Sequence, residues 1–234
     1  MLEQTKLHLY YYWKTSWTTI LTFWGIYIFF IALMFIAAFY GSNGSIMMTG
    51  VNIAPGLIFS LFFGIFSFKD TFPYVIELGL DRYSFILSSF ISIILYTVAM
   101  TSISQIVLHT VDYLINLFSL ENFEFSGLEI ATTDATSTSS IVLYEGLLYL
   151  LFFSFSILLG SVFFRFGLKI GFTVIAIFPI MMIIQPIAHK VLDALKYIAI
   201  GHELYTPFAF FVPYGVIAIL LYVIVYNASA VGNN

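Results

Sequence analysis

The chain has 234 residues, of which 61% are hydrophobic and 9% charged, with a net charge of −4 and a mean hydropathy of +1.03. A soluble domain carries about 25% charged residues, and one of this length has no core large enough for so much apolar surface, so a water-solvated globule is excluded. The eight scattered Lys and Arg exclude a basic nucleic-acid surface, and the absence of Cys excludes disulfides and thiolate metal sites.

The N-terminal stretch 1–16 sets Lys6, His8 and Lys14 among Leu2, Leu7, Leu9 and the rings of Tyr10, Tyr11, Tyr12 and Trp13. This pattern predicts a helix lying in a membrane interface, rings at the headgroup level. The apolar run 17–40 exceeds the roughly 7–15 residues of a signal-peptide core, so it reads as a retained first span. A crossing helix needs about 20 mostly apolar residues. Five further segments meet or approach that length: 51–68, 84–109, 141–164, 170–187 and 208–226. Each is nearly free of charge, and none alternates with period two as a barrel strand would. The expected fold class is therefore an all-α integral membrane protein, one domain over 1–234 with six transmembrane helices.

The connections carry the polar chemistry. Residues 41–50 (GSNGSIMMTG) form a turn-rich loop. In 69–83 (KDTFPYVIELGLDRY), Pro73 is placed to start a short helix and Gly79 permits a reversal. Asp81 and Arg82 then precede the third span. A short mixed-charge helix joined to two spans serves as a mechanical handle; the other reading is an ordinary interfacial loop. Gln105 and His109 lie one turn apart near the far end of the third span. The loop 110–140 is acidic, with Asp112, Glu121, Glu124, Glu129 and Asp134. Glu145, near the start of the fourth span, sits where a helix N-terminus favours a carboxylate. A proton relay there would need a second buried ionisable group, and the spans supply none. Arg165 and Lys169 make a basic turn at 165–169.

Pro179 and Pro186 interrupt the fifth span, and Pro207 and Pro213 flank and enter the sixth. They predict that 179–213 forms short broken helices, dipping back toward the outer leaflet. Within that stretch His189, Asp193 and Lys196 share a helical face. With His202 and Glu203 they do not match a known zinc spacing, so they read as a solvated face and no metal is expected.

Six spans place both termini on one side. Lys6, Lys14, Lys69, Arg82, Arg165 and Lys169 fall on that side, and Lys190 and Lys196 opposite. The positive-inside rule then makes the termini cytoplasmic and the long acidic loop external. No G-x-x-x-x-G-K-[ST] loop and no H-E-x-x-H occurs, so the chain is not expected to be an enzyme. An intramembrane enzyme would need paired acid, base or ligand groups, for which only Glu145, Gln105 and His109 are near candidates. A non-transporting scaffold or immunity protein would need none of this chemistry.

The segment ELGLDRYSF (77–85) resembles the LGxxRxxF-like segment between the second and third spans of ABC-2-type transporter permeases. Small permeases of Gram-positive bacteria carry it, the membrane subunits of the phenol-soluble modulin exporter among them. Leu78, Gly79, Arg82 and Phe85 match; Asp81 departs, since many relatives are neutral or basic there. The resemblance implies a cytoplasmic coupling helix formed by Tyr74, Glu77, Leu78, Gly79, Leu80, Asp81 and Arg82, docking on an ABC ATPase subunit. It also implies an N-terminal elbow helix and re-entrant outer helices between spans five and six. The chain would then be a permease in the bacterial cytoplasmic membrane, paired with a second permease subunit as a homodimer or heterodimer. ATP and Mg would bind the partner ATPase, and the cargo exported would be an amphipathic peptide, a lipid-like molecule or a drug.

Overall fold

The computed structural model describes residues 2–40, 48–79, 81–120, 123–127, 138–196, 198 and 207–226. Helix α1 covers Leu2–Tyr40, strand β1 Met48–Val51, α2 Ile53–Glu77, α3 Arg82–Phe118, and strand β2 Phe123–Ser126. They are followed by α4 (Thr138–Ile183), α5 (Gln185–Lys196), a 3-10 turn (Pro207–Phe210) and α6 (Phe211–Tyr226). Five of these segments are long and apolar enough to cross a membrane: those within α1, α2, α3 and α4, and the 3-10 turn with α6. Their outer faces expose Phe29, Phe30, Phe62, Ile94, Ile106 and Ile219, a surface that calls for lipid rather than water.

The expected boundary at residue 16 is absent, and α1 is one helix of 39 residues. No Gly or Pro falls between residues 2 and 24, so nothing interrupts the backbone ladder. At about 58 Å such a helix is far longer than a hydrocarbon core of about 30 Å, and one end projects beyond it. The separate short helix expected after Pro73 is likewise absent. Pro73 forfeits one backbone bond, yet α2 continues through it to Glu77. Helix α4 continues through Pro179, and it breaks within the turn expected at 165–169. The fourth and fifth expected spans form one element interrupted at Gly167, whose φ of 80° and ψ of 172° leave the helical region. A positive φ of this kind favours glycine, which has no Cβ to clash. We call the two parts α4a (138–166) and α4b (168–183).

The break turns the chain back. The Phe163 and Phe172 rings lie 5.4 Å apart, whereas nine residues of straight helix rise about 13.5 Å. A Cβ on Gly171 would stand 2.1 Å from the Phe163 ring, so only glycine fits that crossing.

Contacts between elements define two ends of the bundle. At one end β1 and β2 pair in parallel, Met48 opposite Phe123 through Val51 opposite Ser126. Parallel strands need a crossover, and here it is the helical hairpin α2–α3. At the other end Arg165 donates to the carbonyls of Val223 at 3.3 Å and Ile224 at 3.2 Å. Arg82 donates to the carbonyl of Tyr226. Both cations meet the last carbonyls of α6, which lack helical partners and carry the negative end of the helix dipole. Helix α6 runs parallel to α4a: Tyr214 donates to the Leu147 carbonyl at 2.6 Å near the sheet end, while Val223 meets Arg165 at the arginine end.

Small residues hold the centre together. Helix α2 packs closely on α4a along Gly56, Ser60 and Gly64, spaced one every four residues. A Cβ on Gly64 would meet Ser156 Oγ at 1.7 Å, and one on Gly160 the Ile65 carbonyl oxygen at 2.9 Å. Ser156 donates to the carbonyls of Ser60 at 3.0 Å and Phe153 at 2.9 Å. Close backbone approach through small residues is how helices associate where no hydrophobic drive exists between them. Beside this seam the rings of Tyr96 and Phe153 stack at 4.0 Å, and Phe63 stacks on both at 5.2 and 5.7 Å.

Candidate functional site

The connection between α2 and α3 is the first candidate. Chain reversal needs a left-handed residue after α2, and Gly79 supplies it with φ 84°. Asp81 then caps α3, its carboxylate accepting from the Ser84 N–H at 3.0 Å. Hydrogen bonding from Ser84 holds the Asp81 carboxyl below its ordinary range. Asp81→Ala is expected to lower stability by about 1 kcal/mol, measured as a drop in thermal midpoint. The stabilisation is present above the unfolded carboxyl pKa of about 3.9 and is lost as pH falls through the depressed folded value. Wild type and variant should therefore converge in stability at acid pH.

The residues named from the sequence fall around this turn as follows. Tyr74, in the last turn of α2, is exposed and stacks on Tyr11 of α1 with ring centroids 4.7 Å apart. Glu77 ends α2, and it, Leu78, Gly79 and Asp81 are exposed. Arg82 opens α3 half-buried, its guanidinium on α6. Phe85 is buried against Phe72 at 5.0 Å and Phe68 at 5.7 Å. Leu80 lies outside the described residues. The turn is thus a short exposed knuckle braced by α1 and α6.

The second candidate lies near the sheet end, between α2, α3 and α4a. Gln105 donates through Nε2 to the Glu145 carboxylate. Glu145 is only 3% exposed, deeper than its position near a helix start suggested. Asn52, just before α2, donates through Nδ2 to the Ser104 carbonyl at 2.9 Å and the Ser104 hydroxyl oxygen at 2.8 Å. Tyr149, one turn after Glu145 on α4a, points its hydroxyl at Gly56, one turn after Asn52. A groove of about 400 Å³ between α3 and α4a, lined by Thr97, Thr101, Gly146 and Leu150, runs beside the cluster. His109 is exposed and has no part in it.

His189 and Asp193 are exposed on α5; the Lys196 side chain, His202 and Glu203 lie outside the described residues. Among the described residues no three His, Cys, Asp or Glu gather in a metal-like group. Sequence reasoning named Gln105 and Glu145 separately and missed Asn52, Ser104 and Tyr149. One signal was readable: Ser84, Ser88, Ser92, Tyr96 and Ser104 recur at multiples of four along α3, a polar face that only an interior could use. No family model, no curated protein and no solved structure matches the chain.

Proposed function

We infer that the chain is the membrane subunit of a transporter whose energy comes from a separate ATPase. Six crossings are supported by the reversal at Gly167 together with the parallel course of α4a and α6: residues 168–206 must carry the chain back from the arginine end to the sheet end. Both termini then share the arginine end, which the excess of Lys and Arg makes cytoplasmic. The single observation that carries the transport reading is the α2–α3 knuckle. It exposes Glu77 and Leu78, the latter at 56%, and it is tied to four helices. A push on it moves α2 and α3 as a unit, and a bundle of packed helices switches by rigid-body shifts rather than by bending. The resemblance of 77–85 to a coupling segment points the same way. The chain's lack of a phosphate-binding loop leaves ATP and Mg to the partner, with a second permease subunit completing the pathway for an amphipathic or hydrophobic cargo.

The test uses surface positions, since Asp81 and Arg82 also cap helices. Glu77→Lys with Leu78→Asp should leave the thermal midpoint within a few degrees of wild type. Recovery of an ATPase subunit with the tagged chain, pulled from its native membrane, should fall at least about tenfold, as expected for a lost anchor of 1.4 kcal/mol or more. Absence of any ATPase from the wild-type preparation, or equal recovery with the double variant, overturns the reading.

A further inference from the structure

We propose that the Glu145 cluster is a binding site for one alkali cation. Glu145, Tyr149 and Asn52 are each at most 3% exposed, and Glu145 Oε1, Tyr149 Oη and Asn52 Oδ1 have no hydrogen bond within the protein. Two of these side chains are held by neighbouring residues of α3. Ser104 holds Asn52 through its hydroxyl oxygen at 2.8 Å, and the next residue, Gln105, holds Glu145. Tyr149 Oη points at Gly56, one turn along α2 from Asn52, and comes within 2.2 Å of where a Cβ there would stand.

The donor set selects the ligand class. All the available atoms are oxygens, which suits a hard cation, and no imidazole or thiolate is present to hold a transition metal. The one carboxylate supplies one negative charge among neutral oxygens, so a single positive charge balances the site. An ionisable group kept inside a bundle persists only with a partner. Gln105 supplies Glu145 with a neutral donor and no charge. Asn52 is also anchored to the paired strands, its N–H donating to the Ser126 carbonyl at 3.0 Å. A bound cation would therefore draw α2, α3, α4a and the strand cap together.

The test is thermal unfolding of the purified full chain in lipid nanodiscs. Choline chloride is replaced stepwise by NaCl, and separately by KCl, at fixed ionic strength. A midpoint that rises with either alkali ion, in wild type but not in Glu145→Gln, supports the site. Tyr149→Phe removes one oxygen and keeps the ring, so its rise should need about tenfold more cation. Should Glu145→Gln fail to fold, Tyr149→Phe still decides. A wild-type midpoint indifferent to Na⁺ and K⁺, or an undiminished rise in the variants, overturns the proposal. The readout needs no transport, so its failure is distinct from failure of the transporter reading.

Discussion

Gly160→Leu is expected to yield no folded, monodisperse protein, as read by size-exclusion profile and yield from detergent extracts. A Cβ at residue 160 would stand 2.9 Å from the Ile65 carbonyl oxygen and 2.9 Å from Phe68 Cβ. Neither atom is the far end of a flexible side chain, so α2 itself must move away. Overpacking a tight core costs about 1–3 kcal/mol and more when backbone must shift. Displacing α2 also threatens the Ser156 bond to the Ser60 carbonyl. Leucine adds three more carbons beyond that Cβ, so the full displacement of α2 brings the cost toward the lower end of a total stability of about 5–15 kcal/mol. The neighbouring contact supplies a check on mechanism. Gly64→Ala should also destabilise, because its new methyl meets Ser156 at 1.7 Å to Oγ and 2.9 Å to Cβ. Adding Ser156→Gly removes both atoms and should restore part of the loss. If the double variant is no better than the single, steric contact is not the cause.

Phe153→Ala is expected to cost about 3–5 kcal/mol, measured as a fall in thermal midpoint or in the denaturant needed for unfolding. Phe153 is fully buried, and its ring stacks on Tyr96 at 4.0 Å and on Phe63 at 5.7 Å. Its removal opens a cavity where three helices meet. Phe153→Leu refills most of that volume and should cost less than half as much, since volume-conserving swaps are tolerated best. Equal effects of the two variants would show that ring stacking, rather than filled space, carries the stability.

The two sites differ in how they could be read. The α2–α3 turn is local: a glycine, a capping aspartate and an arginine within four residues carry their own instructions, because reversal and capping depend on near neighbours. The Glu145 cluster is not local. Asn52, Ser104 and Tyr149 lie tens of residues apart; the polar face of α3 marks Ser104 as interior, but nothing near any of the three reveals which side chains will lie beside it.

Residue order was enough for the helical class, the apolar runs and the turns at Gly79 and 165–169. Hydrocarbon-length stretches must satisfy their peptide groups internally, and only helix or closed barrel does so. Gly56, Ser60 and Gly64 share one helical face, but which helix packs against them depended on the fold. Tertiary structure alone decided that α1 runs unbroken past residue 16 and that α2 absorbs Pro73. It also carried α4 through Pro179 and buried Glu145 beside Gln105. Each of those outcomes depends on which neighbour lies alongside: a proline's lost bond or a buried carboxylate is tolerated where packing and partners compensate, and these are set by residues distant in the chain.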